Sequence, residues 1–328
     1  MRNKIMIIGG HGAVGQTISK ALNHHSLVIG GRNTEKIQLF INSNLRDAQS
    51  IKIDIHTFDE SLFHDVHTVI VCVDQNSTQL VEYCIDNNLN YMDVSANSGY
   101  LDKVQQLEFT NQSSILLGVG IAPGVTNILA TQLIKDNPNL KNVDIHVILG
   151  LGEKHGSAAI DWTLENMIVS YTLKNETYKP LNMHSQFMHH SVKYDTFNFN
   201  FADQYLLNHK YPEFNFFTYM GFDKPMATRM IHTLMNLNLS GFFKTKNGYK
   251  VTKHALLNPK FGSDYFIIHV SNGMDELVFD GYNEAYYTGQ FAAISAVKLV
   301  DDSLPFGLIG MDDIISYKDL SNIQSNKN

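Results

Sequence analysis

Six residues near the N-terminus, Gly10-His11-Gly12-Ala13-Val14-Gly15, have the types and spacing to cradle a dinucleotide pyrophosphate. On this reading Gly10 makes the tight turn, Gly12 lets the backbone approach the phosphates, and Gly15 allows close helix–strand contact. A helix starting here offers free N–H donors to the phosphates, which places His11, Ala13 and Val14 on the same surface. An NAD-selective site sets a carboxylate about 20 residues further on, where it accepts hydrogen bonds from the ribose hydroxyls. Here the second apolar run, Leu27-Val28-Ile29, ends in Gly30-Gly31-Arg32-Asn33-Thr34, with no acid at that corner. A guanidinium fork pairs with a 2′-phosphate, and Asn33 or Thr34 adds neutral donors, so NADP(H) is favoured over NAD. The competing role for Arg32 is a solvated loop cation.

Outside that turn, the densest group of glycines and ionisable side chains runs from Gly150 to Trp162 and contains Glu153, Lys154 and His155. Lys154 or His155 suits a proton shuttle or a carboxylate clamp, with Glu153 tuning either pKa; the alternative is a solvated loop over a packed Trp162. Arg229 follows Arg46 with no arginine between, and is either a substrate-carboxylate anchor or one half of a helix-surface salt bridge. Asp74 and Asp93 fall at strand C-terminal ends, the edge where open α/β sheets bind ligands, although either can cap the following helix. Asp54 is placed at the end of the third strand near the adenine side, and Val73 at the end of the fourth, facing the cofactor. His184, His189 and His190 match no common zinc spacing, and strand alternation sends adjacent side chains to opposite faces, so no metal is expected. Tyr249 and Lys253 fit the Tyr-x-x-x-Lys string of short-chain dehydrogenases, but too late in the chain for that fold.

The elements that must position these groups are readable from the apolar pattern. Ile5–Ile8 reads as a buried strand and 16–22 as the first helix, with further strands at 50–55, 68–73, 90–94 and 114–117. Alternating β and α units with nearly continuous apolar strands imply a parallel sheet covered on both faces. The Pro-Gly turn in Gly120–Ala130 looks like a crossover. From about Val143 the texture becomes aromatic and period-two, as in 144–149 and 196–201, which suggests half-buried antiparallel strands. A hairpin is read at 265–270 and 276–279 around Asn272-Gly273, whose Asn-Gly pair supplies positive φ angles. Tyr286–Val300 reads as one helix returning to the first lobe, and the polar tail from Ser316 is expected to fray.

With 328 residues and a net charge of −7, the chain has room for two lobes and no basic footprint for nucleic acid. The apolar stretch after Arg2 and Lys4 is too short for a signal sequence, no run reaches the length of a membrane span, and Cys72 and Cys84 read as reduced, buried thiols. These point to a cytoplasmic protein.

In the order and spacing of Gly-Gly-His-Gly-Ala-Val-Gly, Gly31-Arg32-Asn33, Tyr91-Met92-Asp93-Val94-Ser95 and Gly120–Ala130, the first 130 residues resemble the saccharopine dehydrogenase-like oxidoreductases. The end of the last helix, followed by Leu304-Pro305-Phe306-Gly307, is similar to the family's C-terminal return. The resemblance implies a Rossmann-type doubly wound sheet built from residues 1–124 and 285–328, with an inserted α+β substrate lobe at 125–284. It also implies hydride transfer between NADP(H) and the carbon of an imine or secondary amine in an amino-acid-like substrate, with a homodimer as a possible assembly. On that basis Asp93, Lys154 and His155 are the catalytic candidates, and Arg229 and Trp162 the substrate contacts. Many members follow the strand-five aspartate with Ser or Thr and then Gly-Glu; Ser95-Ala96-Asn97-Ser98 lacks that carboxylate. The departure leaves room for a non-catalytic NADP(H) sensor or scaffold, or for a carbonyl reductase.

Overall fold

Apolar runs long enough to be buried on both faces form the centre of the first lobe. The computed structural model describes residues 3–110, 112–151, 157–236, 245, 262–301 and 304–325. In chain order the elements begin with β1 (Lys4–Ile8), α1 (Ala13–Ala21), β2 (Ser26–Gly31), α2 (Thr34–Asn44), β3 (Ala48–Lys52), β4 (Val66–Val71), α3 (Gln79–Asp86), β5 (Asn90–Asp93), α4 (Ser98–Gln105), β6 (Ser114–Leu117) and α5 (Thr126–Asp136). They continue with β7 (Asn142–Leu149), α6 (Ser157–Asn166), β8 (Tyr171–Leu173), β9 (Glu176–Tyr178), β10 (His184–His189), β11 (Val192–Asn198), α7 (Ala202–Lys210), β12 (Asn215–Phe222), α8 (Pro225–Asn236), β13 (Tyr265–Ser271) and β14 (Glu276–Tyr282). The chain closes with α9 (Glu284–Val300), β15 (Gly307–Gly310), α10 (Met311–Ile314) and α11 (Tyr317–Ser325). Two units result: Met1–Ile128 with Ala285–Asn328, and Leu129–Glu284.

The first unit carries a seven-stranded sheet in the order β15-β6-β5-β4-β1-β2-β3, parallel throughout. From β1 the chain winds to β2 and β3 on one side, then crosses to β4, β5 and β6 on the other, so the switch point lies between β1 and β4. Met6, Ile7, Val69, Ile70 and Met92 are fully buried, as expected of strands covered on both faces. Residues from the chain's end complete this lobe: β15 pairs with β6, Gly307 N donates to Ser113 O at 2.8 Å, and Ser114 Oγ donates to Pro305 O at 2.9 Å. On α9, Phe291 and Leu299 are buried. A Cβ at Gly289 would sit 3.0 Å from Thr17 Oγ1, so the missing side chain lets α9 lie against α1.

The second unit carries a six-stranded sheet in the order β10-β11-β12-β7-β13-β14 and a small β8-β9 ribbon. As the alternation suggests, the pairings β10–β11, β11–β12, β7–β13 and β13–β14 are antiparallel; the departure is β12, which runs parallel to β7 because other strands of the sheet lie between them in the chain. The sheet curls far enough for its two ends to meet. Phe187 of β10 stacks on His269 of β13 with ring centroids 4.3 Å apart, and His189 Nε2 lies 3.1 Å from Tyr265 Oη. The inside of the curl holds Ile148, Ile267, Phe187 and Tyr194.

Several boundaries move for physical reasons. The first helix starts at Ala13 rather than Gln16, because Gly12 acts as its N-cap. β3 ends at Lys52 rather than Ile55, and β11 ends at Asn198 rather than Phe201. In the β13–β14 turn only Gly273 has positive φ, at 86°; Asn272 instead accepts at Oδ1 from Met274 N and Asp275 N. The expected frayed tail is a helix, α11, anchored by Leu320 at 1% exposure and initiated by Asp319 Oδ2 accepting from Ser316 N at 2.9 Å. Cys84 is buried as expected, whereas Cys72 is only partly buried. Among the described residues, no helix is long and apolar enough to cross a membrane.

Candidate functional site

At the switch point the C-terminal ends of β1 and β4 open onto a cleft of about 420 Å³. The glycine turn forms its floor, and the division of labour differs from the sequence expectation. The left-handed residue is Gly9, at φ 79°, rather than Gly10. A Cβ at Gly10 would instead press on Ile29 Cγ2 and Ser19 Oγ, both at 3.0 Å, and one at Gly15 would lie 2.3 Å from Gly9 O. Gly15 therefore permits the contact between α1 and the turn, as the spacing implies. Gly12 caps α1 with no side-chain hydrogen bond, so the first-turn N–H groups face the cleft end of the helix without a side-chain acceptor. Ala13 and Val14 occupy that first turn.

Arg32, Asn33 and Lys36 stand on the adjoining wall, where β2 passes into α2, and Asp54, Cys72, Val73 and Asp74 line the cleft with them. Arg32 and Lys36 are both exposed, putting two cations beside the positive end of α2. Lys36 was not singled out from the sequence; its signal is its place in the first turn of a helix entered through Arg32. Asn33 has a structural task, since its Oδ1 accepts from Lys36 N at 3.0 Å and caps α2. Asp54 lies just beyond β3, with Oδ1 accepting from His56 N at 3.0 Å. His11 packs against Gly31, where a Cβ would meet its Cε1 at 3.4 Å, and its buried Nδ1 has no partner among the described residues. A helix start without a side-chain cap and a pair of exposed cations fit a dinucleotide phosphate. Arg32 and Lys36 would hold the 2′-phosphate, and α1 the pyrophosphate.

Asp93 ends β5 next to this edge, fully buried. Its Oδ1 accepts from Ser95 N at 2.6 Å, and its Oδ2 accepts from Tyr91 Oη at 2.7 Å and from Gln75 Nε2. Tyr91 Oη is in turn 2.9 Å from Tyr100 Oη. Burial raises the Asp93 carboxyl from 3.8 to about 6, and the hydrogen bonds from Tyr91, Ser95, Gln75 and Tyr100 restrain the rise. The carboxyl thus titrates near neutrality at the end of a buried chain of hydroxyls. Gln75 comes from the β4–α3 connection, Tyr91 from β5 and Tyr100 from α4, and nothing in their spacing announces the network. Where family members carry a glutamate after the strand-five aspartate, Asn97 caps α4 through Oδ1 and donates through Nδ2 to Gln75 O at 3.1 Å.

In the second unit, Trp162 packs at ring-centroid distances of 5.7 Å from Phe199 and 5.6 Å from Phe201. Arg229, on α8, pairs through Nε with Asp195 Oδ2, whose Oδ1 also lies 2.9 Å from His184 Nε2. Lys154, His155, Tyr249 and Lys253 lie outside the described residues. The expectation that His189 and His190 diverge is overturned: β10 ends at His189, and His190 enters the turn at φ 45°. Their ring centroids are 4.0 Å apart.

Residues 5–114 match the family described as the saccharopine dehydrogenase NADP binding domain. Among solved structures, the chain is similar to saccharopine dehydrogenase (L-Glu forming) from Saccharomyces cerevisiae, at 12% identity and a TM-score of 0.58, covering 99% of this chain and 96% of that one. Dihydrodipicolinate reductase from Paenisporosarcina sp. superposes at a TM-score of 0.40 and 10% identity, over 96% of this chain and 100% of that one. No curated protein matches the sequence. Residues 5–114 thus form a domain of the saccharopine dehydrogenase NADP-binding type, the cofactor is NADP(H), and the chain as a whole shares the fold of saccharopine dehydrogenase.

Proposed function

We propose that this chain, built on a saccharopine dehydrogenase NADP-binding domain, is an NADP(H)-dependent oxidoreductase acting on a C–N bond of an amino-acid-like substrate. The observation that carries the reading is the cleft at the switch point, where Arg32 and Lys36 flank the start of α2 and the uncapped start of α1 faces the glycine turn. NADP(H) supplies or accepts a hydride; the protein must orient the substrate and move protons. Asp93 suits the second task. Its carboxyl, raised to about 6, exchanges a proton near neutral pH, and the Tyr91–Tyr100 pair extends that exchange into the lobe. Lys154 or His155 remains the proposed proton shuttle or carboxylate clamp of the second unit. For Trp162 the contacts with Phe199 and Phe201 support a packing role, and for Arg229 the ion pair with Asp195 supports a salt bridge ahead of a substrate anchor.

A screen of NADPH oxidation against paired amines and oxo acids tests the reading. Turnover with such a pair, and none with isolated ketones, is the expected result. Turnover with ketones alone makes the enzyme a carbonyl reductase. NADPH binding without turnover on either class leaves a sensor or scaffold. The setting is proposed to be cytoplasmic and the assembly a homodimer, which gel filtration with light scattering checks.

A further inference from the structure

We propose that His189, His190 and Asp280 form a binding site for a divalent transition-metal ion that clips the β10–β11 hairpin to the β13–β14 hairpin. One ligand atom from each of the three residues lies within 4.8 Å of the other two. His189 Nε2 is 3.8 Å from Asp280 Oδ2, close to the separation of two ligands on one ion with bonds of roughly 2.0–2.2 Å. Binding would draw all three ligand atoms, already within 4.8 Å of one another, to that distance.

The backbone explains how neighbouring histidines come to share an ion. His190 at φ 45° and Ser191 at φ 63° occupy the two turn positions between β10 and β11. Positive φ at both is the geometry that Asn-Gly usually fills, and His-Ser adopts it here. The turn cancels strand alternation and leaves the two rings inclined at 46° to each other. The carboxylate is oriented independently: Tyr265 Oη donates to Asp280 Oδ2 at 2.6 Å and lies 3.1 Å from His189 Nε2. That phenol is placed as an outer partner that fixes a ligating carboxylate, or as a fourth donor. His189 is largely buried, whereas His190 is exposed, so the site has a fixed wall and an open side.

The donor set selects the ion. Two imidazoles and one carboxylate suit Zn²⁺, Co²⁺, Ni²⁺ or Cu²⁺; Mg²⁺ and Ca²⁺ prefer oxygen ligands. The role follows from the strand order, in which β10 and β14 are the two ends of the sheet. An ion held by both joins those ends where the sheet curls, and adds a link between hairpins otherwise joined there by side-chain contacts.

The test uses the full chain freed of metal with a chelator, titrated with Zn²⁺ by calorimetry and with Co²⁺ by visible absorption, alongside thermal unfolding. His190→Asn is the informative variant because asparagine tolerates positive φ, which keeps the turn while removing the imidazole. Expected are one site per chain, a Zn²⁺-dependent rise in Tm with none for Mg²⁺, and affinity lowered about tenfold or more in both His190→Asn and Asp280→Asn. NADPH affinity should be the same in all three proteins. Zn²⁺ binding of equal strength in the wild type and both variants, or no saturable binding by the wild type, overturns the site.

Discussion

We propose that Arg32 and Lys36 set which nicotinamide cofactor the cleft prefers, because only the 2′-phosphate distinguishes the two dinucleotides at that wall. Arg32→Ala is expected to weaken NADPH by about 1.5–3 kcal/mol, roughly ten- to hundredfold, with little effect on NADH. Lys36→Ala should give a smaller loss in the same direction, and fluorescence titration of both cofactors separates the outcomes; equal loss of NADPH and NADH in Arg32→Ala removes the phosphate role. Asp93 sets a pH dependence. Its carboxyl binds a proton more tightly when folded than when unfolded, so burying it is without electrostatic cost below about pH 4, where both states are neutral. As pH rises through about 6 the folded carboxyl must ionise in a buried site, and roughly 3 kcal/mol of stability is lost by the time it is fully charged. The stability of the wild type relative to Asp93→Asn should therefore fall between pH 4 and 7, as read by urea unfolding at each pH. A constant difference across that range shows that Asp93 does not titrate there. If Asp93 moves the reaction's proton, turnover should also lose its limb near pH 6 in the variant.

The glycine turn shows the same discrimination among secondary-structure elements. A Cβ at Gly15 meets backbone atoms, Gly9 O and Gly10 Cα, and neither can move without shifting β1 against α1. Gly15→Ala should cost about 3 kcal/mol or more and abolish NADPH binding, as measured by thermal unfolding and fluorescence. A variant that folds and binds as the wild type does would mean that α1 approaches the turn less closely than described. This part of the molecule was legible in the sequence because turn, strand and helix are local: Ile5–Ile8, the glycines and Arg32 lie within 28 residues of one another. The Asp93 network was not, since Gln75 reaches it from the β4–α3 connection and Tyr100 from α4. The parallel pairing of β7 with β12 and the closure of β10 onto β13 escaped for the same reason: alternation reports which face a residue takes, not which strand lies beside it. α11 was missed because Leu320 is the only buried residue among those of the helix whose burial is described, in place of an apolar stripe.

At the scale of the whole molecule, the first lobe is discontinuous in sequence. Its sheet ends in β15 and its helical cover includes α9, both supplied after the entire second unit. A chain ended after Glu284 lacks both, exposing the edge of β6 and uncovering α1. Such a truncation is expected to lose NADPH binding and to be cut by protease within the first lobe, while residues of the second unit stay protected. Binding equal to that of the full chain would show that six strands suffice. The net charge of −7 opposes the cleft's two cations, so Arg32 and Lys36 are a local attraction for an anionic cofactor on a repelling background.

The pairing of β15 with β6 also sets an order of events in synthesis. About 190 residues separate Leu117 from Gly307, and at a ribosomal rate of about 5–20 residues per second that interval lasts on the order of 10–40 s. Through it, the nascent protein carries an apolar strand with an open edge, the kind of surface that recruits chaperones or pairs with other chains. The inserted unit can fold during the wait, because all of its sequence emerges before the missing strand does. Cofactor capture is then expected to follow the delivery of β15 by the ribosome.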